Sequence, residues 1–413
     1  IETDGVLIEP EADGGVVVDF DPARRGDSLD PDMNFDVNLA AVLDESELTE
    51  ISQHILEGID ADRESRKEWD GLRAEGIKLL GLNIEERSYP FQGACGTYDP
   101  LMAEAVFRIQ AIARGELLPA RGPVKTQIVG LSTDPRQDIA IRKQEWMNLF
   151  LTQLAPEYYS DYDQMLLWWA MDGSAFKLVY QDPVLKRPVL PFINADNFIV
   201  DYNATSLETA QRATYVTPMS KRQLRQMQQS GAWVDIKVPE PQQEARQQSP
   251  VKEQVDQSTG LKPVLAIGDD TYRINNCHTD LELDSLDRFG LPVPYRVTID
   301  EDSRKVLGLY RNWRESDPMR RKRRCFVHYK FLAGVGFYGY GYSHVLAGAA
   351  KTTTMVTRQI VDGGTLNNFP GGVRVKGMRL EDNNLNIGPM SFPEIETAGL
   401  PIQRSEERRV GKE

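Results

Sequence analysis

The chain has 413 residues, with 62 acidic side chains against 48 basic ones and a formal charge of −14 at pH 7. That length predicts two or three domains, and 40% hydrophobic residues are enough for a sizeable core. The negative balance excludes a protein that grips nucleic acid through a general basic surface, but not one past which DNA slides.

Residues 1–40 hold eleven acids against Arg24 and Arg25, and read as an acidic flexible arm that is either disordered or orders against a neighbouring subunit. A helix follows, with Asp44 as its cap and Glu47 closing a capping box. Leu48, Ile51, Ile55 and Ile59 form its apolar stripe. Asp99-Pro100 opens a second helix whose face is Leu101, Met102, Ala105, Val106, Ile109 and Ile112. A third runs from about Pro135 through Trp146 and Phe150 to Leu154. A fourth contains Met165 to Met171 and stops at Gly173. Its Trp168 and Trp169 are expected in the core or at a subunit interface. Strands are expected over 175–180, 192–200 and 213–217, then a short polar helix over 220–229.

Residues 240–260, rich in Gln, Pro, Glu and Ser, read as a linker rather than a core element. Beyond them the pattern turns to strand. Residues 294–300 and 305–313 flank Glu301-Asp-Ser-Arg304 as a hairpin with a tight polar turn. The basic run Arg320, Arg321, Lys322, Arg323, Arg324 comes next. It suits an acidic partner or phosphate, although an exposed turn before a strand accounts for it equally.

The stretch from Phe331 to Val375 is the most informative. A glycine and aromatic run leads into a threonine-rich helical segment over about 347–362, then into a glycine-rich loop that turns into a strand. Glycines permit sharp turns and close backbone approach. Gly334 to Gly339 matches G-x-G-x-x-G after a strand-like segment, so a dinucleotide-binding enzyme is a rival reading. Only 74 residues follow Gly339, too few to complete a doubly wound sheet. Residues 331–350 lack Asp, Glu, Lys and Arg, yet five glycines and three tyrosines make them a poor membrane span. A plain turn between core elements is the remaining reading.

Other chemistry is sparse. No P-loop, H-E-x-x-H or G-x-S-x-G occurs. Cys325 and His328, three apart on a strand, point to opposite faces and make no dyad. Cys95, Cys277 and Cys325 are too few and scattered for a disulfide framework, which favours a reducing compartment. His54, His278, His328 and His344 show no metal-ligand spacing. No catalytic residue, cofactor or metal is expected.

Ten stretches, in order, carry a family resemblance. They are Asn38-Leu-Ala, Asp62 to Trp69, Ser88-Tyr-Pro-Phe91, Asp172 to Lys177, Ile193 to Asp201, Leu291 to Asp300, Arg311 to Glu315, Phe326 to Phe331, Gly336 to Tyr342 and Ile387 to Phe392. Together they resemble the portal proteins of tailed bacteriophages, in particular the large portals of short-tailed phages.

The resemblance implies an α+β portal fold with a mixed α/β wing, a helical stem and a small β-rich clip, assembled as a ring that is usually a dodecamer. On this basis residues 41–218 form the wing, 219–269 the first stem helix and a flexible linker, and 270–325 the clip. Residues 326–362 give a strand and the second stem helix, and 363–403 a tunnel loop and the return to the wing. Gly336, Gly339 and Gly341 would be the stem hinge. Asn367, Asn368, Phe369, Pro370, Gly371 and Gly372 would lie in the tunnel loop.

The implied function is non-enzymatic. Genomic DNA would be packaged and ejected through the ring at a capsid vertex of the virion, without tight binding, after assembly in the host cytoplasm. The implied partners are the large terminase, head-to-tail adaptor and tail proteins, scaffold and major capsid protein, with the clip run Arg320 to Arg324 as a docking element and no membrane. The family continues into a crown and often a helical barrel. Residues 404–413 read instead as translated adapter sequence, and Ile1 in place of Met suggests an earlier start. An acidic conduit suits passing DNA, and a ring calls for wide apolar helix faces for heterologous contacts.

Overall fold

A computed structural model describes residues 34–119, 122–182, 186–240, 249–259, 271–283 and 291–368, with the strand segments Glu2–Thr3, Val6–Pro10, Val16–Asp19, Arg374–Val375 and Glu394–Ile395. The architecture is α+β, 46% helical and 19% strand, with several sheets.

β1 (Glu2–Thr3), β2 (Val6–Pro10) and β3 (Val16–Asp19) pair antiparallel. The acidic arm expected over 1–40 carries these short strands, and its last residues join the core. Runs of β-branched valine favour strand, and Val37, Leu39 and Ala40 are buried in the core. Asn38 fixes them there. Its side chain accepts from Leu309 N at 2.9 Å and donates to Leu307 O at 3.2 Å, occupying backbone groups that a sheet edge otherwise exposes.

The helices are α1 (Glu45–Ser65), α2 (Lys67–Leu79), α3 (Leu101–Leu117), α4 (Asp134–Leu149, continued by a π turn over Phe150–Leu154) and α5 (Glu157–Asp172). Asp44 does sit at the start of α1, but its side chain makes no cap bond. The expected capping box is absent, and Asp44, Glu45 and Glu47 complement the helix dipole by charge alone. At α3 the cap position falls on Pro100, one residue later than expected and without a side-chain cap bond, while Asp99 just before it accepts from Leu101 N at 3.0 Å. α2 has no counterpart among the predicted elements.

Five short strands come next: β4 (Ser174–Leu178), β5 (Tyr180–Asp182), β6 (Arg187–Val189), β7 (Phe192–Ile193) and β8 (Phe198–Ile199). β9 (Arg212–Ser220) leads into α6 (Lys221–Gln229), which starts with a complete Ser220–Gln223 capping box. α7 (Pro250–Thr259) corrects the reading of 240–260 as linker. Its Val251 is fully buried beside Ile77 and Met102, an apolar anchor that the surrounding polar composition obscures.

β10 (Thr271–Leu281), β11 (Val293–Asp300) and β12 (Val306–Arg311) complete a five-stranded antiparallel sheet in the order β12-β11-β10-β9-β8. β10 pairs with β9 from Thr271↔Ser220 to Thr279↔Arg212, so segments on either side of 219–269 share one sheet. β11 and β12 form the predicted hairpin. One face of the sheet packs on Ile55 and Ile59 of α1. Leu224 of α6 and Trp233 lie with Tyr272, Ile274 and Leu307.

β13 (Phe326–Lys330) pairs antiparallel with β4, and β4 with β7. α8 (Tyr342–Val345) and α9 (Ala347–Asn368) follow. β14 (Arg374–Val375) and β15 (Glu394–Ile395) are parallel. α9 corrects the loop expected from residue 363. Asn367 and Asn368 are helical, and Phe369, Pro370, Gly371 and Gly372 lie outside the described residues. A glycine inside a helix costs about 1 kcal/mol relative to alanine, which two of them, Gly363 and Gly364, do not raise enough to end a 22-residue helix. No helix among the described residues is long and apolar enough to cross a membrane.

Trp168 and Trp169 are both half-buried, Trp169 edge-on to Phe331 with ring centroids 4.9 Å apart. α5 ends at Gly173 in the left-handed region, φ 83°. A Cβ there would collide with the backbone of Tyr340 and Gly341. Gly173→Ala should therefore lose at least about 2 kcal/mol, from left-handed strain and backbone displacement together. Chemical denaturation that leaves the midpoint unchanged would contradict this packing.

Candidate assembly surface and its anchor

The glycine and aromatic run is a buried wedge. Phe337 and Tyr338 are fully buried. Phe331 N donates to Gly173 O at 2.9 Å, Phe337 N to Tyr202 O at 2.8 Å, and Leu332 and Tyr340 bridge across the run. Trp69 stacks on Tyr338 at 4.5 Å and donates Nε1 to Gly339 O at 3.1 Å. The expected hinge glycines are all close-approach points. A side chain at Gly336 would strike Tyr202, at Gly339 the backbone of Gly173, and at Gly341 that of Met171. The preceding strand β13 is antiparallel to its neighbour, whereas the dinucleotide motif at Gly334–Gly339 needs a parallel βαβ unit.

Beneath the wedge lies an ionic cluster. Arg73, wholly buried, reaches Asp172 at 2.5 Å, Asp70 at 2.7 Å and Asp196 at 2.8 Å, and stacks over Trp69. Arg66, also buried, pairs with Asp70 at 3.1 Å. It donates to Ala195 O and Phe198 O, each at 2.7 Å, and to the Tyr338 hydroxyl at 3.2 Å. The cluster joins α2, α5, the turn before β8 and the wedge. Three carboxylates share two guanidiniums, leaving one negative charge in excess. Asp172 is the most deeply buried of the three. It is fully buried, its Oδ1 has no hydrogen-bond partner, and desolvation pushes it up to about 6 despite the attraction of Arg73. Burial opposes the charge on Arg73, but the three aspartates together hold it protonated, well above its ordinary value.

α9 stands on this anchor through Ser343 of α8, which donates to Met171 O at 2.8 Å. Its polarity is inverted. Each of its three charges is turned to its own chain: Lys351 to Glu75 at 2.6 Å, Arg358 to Glu85 at 3.0 Å and Asp362 to Arg87 at 3.4 Å. Arg358 also donates to Thr97 O at 2.9 Å and lies over Tyr98. Asp362 accepts from Cys95 N at 2.7 Å, and Thr354 from Asp99 N at 3.1 Å. The opposite stripe, Ala349, Thr352, Val356, Ile360 and Gly363, holds no charge, and Ile360 is 69% exposed. A helix at a protein–water boundary ordinarily shows the reverse arrangement.

The basic run is largely engaged within its own chain. Arg320 lies over Trp313, Lys322 is mostly buried and its ammonium is pushed down by that burial, Arg321 pairs with Asp317 at 3.0 Å and Arg324 with Glu208 at 2.9 Å. Arg321, Arg323 and Arg324 remain exposed. Nothing favours an activated Cys325–His328 pair. Burial raises the Cys325 thiol and lowers His328 to about 3, and His328 contacts Ser174 Oγ at 3.0 Å while stacking on Phe176. His278 is likewise pushed down to about 3 and contacts Asn312 at 3.2 Å. No group of acids, histidines and cysteines able to hold a metal occurs among the described residues.

Sequence reasoning found the wedge and the polar helix but missed Arg66, Asp70 and Arg73. Their spacing, i, i+4 and i+7 on one helix face, was the available signal. No protein-family model matches the chain, and no curated protein does.

Asp172 gives the cluster a pH signature. Its folded-state value lies above the ordinary 3.8, so its stabilising protonated form is fully present below about 4 and is lost as pH rises through 6. Asp172→Asn cannot ionise. Relative to the parent it should gain stability as pH rises from 4 to 7, measured by urea titration. A stability difference constant across that range would contradict the assignment.

Proposed function

We propose that the chain is the subunit of a phage portal, a ring at a capsid vertex through which DNA is packaged and ejected. The observation that carries this reading is the inverted helix α9. Its free side is long, uncharged and partly apolar, and every ionic group on it is spent on its own body. Twenty-two residues of helix span about 33 Å. In a ring, such a helix packs beside its copies and offers passing phosphates neither an anchor nor a repulsive barrier. In the portal scheme α9 is the second stem helix, the Gly336–Gly341 wedge its junction with the body, and the segment from Asn367 onward leads toward the tunnel.

Two further features support the reading. The net charge of −14 suits transit of DNA rather than capture, and the absence of a P-loop fits a conduit driven by a separate motor. The surface guanidiniums of Arg321 and Arg324, although paired, sit in exposed bridges of little individual strength and are free to exchange toward an acidic terminase or tail adaptor. Scaffold and major capsid protein would meet the outer body.

Two assays on the purified protein test the conduit. Fluorescence anisotropy with short duplex DNA should give affinity no tighter than ordinary non-specific binding, ~10⁻⁴ to 10⁻⁶ M near physiological salt. No ATP hydrolysis should co-purify. Nanomolar DNA binding, or turnover that persists through purification, would contradict the proposal.

A further inference from the structure

α4 buries none of its side chains, although it carries Ile139, Ile141, Trp146, Met147 and Leu149, with Trp146 59% exposed. At 100° per residue its faces separate cleanly. Gln144 and Asn148 turn to their own chain, bonding Thr126 N at 3.1 Å and Val124 N at 2.9 Å. Asp134, Asp138 and Glu145 share a second sector. The third holds Ile139 and Trp146, flanked by Arg142 and Lys143, with no carboxylate, and these four together with Met147 form one open, largely apolar helix surface. Trp146 is stacked on Phe150 at 5.6 Å, so the indole is held in place without a cover.

A cation-flanked apolar ridge calls for an apolar groove edged by carboxylates. The same chain carries one elsewhere. Between α3 and α5, Phe107, Ala111, Gly115 and Leu118 line an open groove, with Gln110, Arg114 and Asp163 at its polar edge. Glu104, two turns before Ala111, adds a second carboxylate, this one exposed. Asp163 is half-buried and accepts from Gln110 Nε2 at 3.3 Å and from Arg114 at 3.4 Å; the Arg114 end of that bridge is exposed, and an incoming cation can replace it.

We infer that the Ile139–Trp146 ridge of one copy seats in the α3–α5 groove of the next, Arg142 and Lys143 meeting Glu104 and Asp163. The contact joins two different faces, so it is heterologous and can close into a ring. It rests on the ring reading and adds which surfaces meet.

The test uses the full chain. Trp146→Ala, and separately Arg142→Glu with Lys143→Glu, should each reduce assembled material at least tenfold by light scattering, with an unchanged circular dichroism spectrum, because α4 buries nothing. Ile139→Cys and Ala111→Cys, each in a Cys95→Ser, Cys325→Ser background, should form a mixed disulfide dimer when combined and no dimer separately. Rings that persist in the ridge variants without the mixed disulfide would overturn this contact and leave the portal reading standing. A parent chain that never assembles would overturn both. Assembly lost on deleting residues 1–33, with no mixed disulfide, would assign the ridge to a neighbour's acidic arm and overturn the groove as its seat.

Discussion

The structure depends on how a low-dielectric interior tolerates Arg66 and Arg73. A buried guanidinium stripped of its counter-charge costs several kcal/mol, so each must be met, and the partners come from distant parts of the chain. Asp70 lies on the same helix, Asp172 ends α5 and Asp196 sits in the turn before β8. Tyr338, from the glycine run, adds its hydroxyl. Satisfying two charges therefore fixes four segments relative to one another. The aromatic stack of Trp69 on Tyr338 closes the cluster from water and raises the strength of each bond within it.

That anchor explains the glycines. The chain must pass between Tyr202, Gly173 and Met171 at distances where a Cβ collides, so the run is glycine for reasons of space. What emerges is a helix set rigidly on the body. Ion pairs and the Thr354 and Asp362 bonds to backbone amides fasten its inner side. Ordinarily apolar residues would make that contact and charges would face water. The inversion leaves Val356 and Ile360 uncovered, and uncovered apolar side chains on both α9 and α4 suit the proposed packing against other copies.

Legibility in the sequence followed the physics of each element. α1, α3 and α5 were readable because a 3.6-residue apolar stripe or a cap signalled them, and the 293–311 hairpin because alternation and a polar turn did. α2 was not readable. Its buried positions include Asp70, Arg73 and Gly76, and a helix whose inner face is ionic gives no hydrophobic period. α7 hid for a related reason, one buried valine in a polar segment. The length of α9 was misjudged because Gly363 and Gly364 look like a stop, although a helix already held along its inner side continues through them. The candidate surface was half legible. Composition marked 331–375 as unusual, but the direction in which its few charges point is a three-dimensional property that composition does not carry.

The central claim is that α9 lies against copies of itself around an axis. Single-particle electron microscopy of the purified chain tests it most directly. The account predicts closed rings with α9 inward of the sheet-bearing body and its Val356–Ile360 side away from its own subunit. A population of monomers at micromolar concentration, or rings with α9 on the outer surface facing solvent, would contradict it.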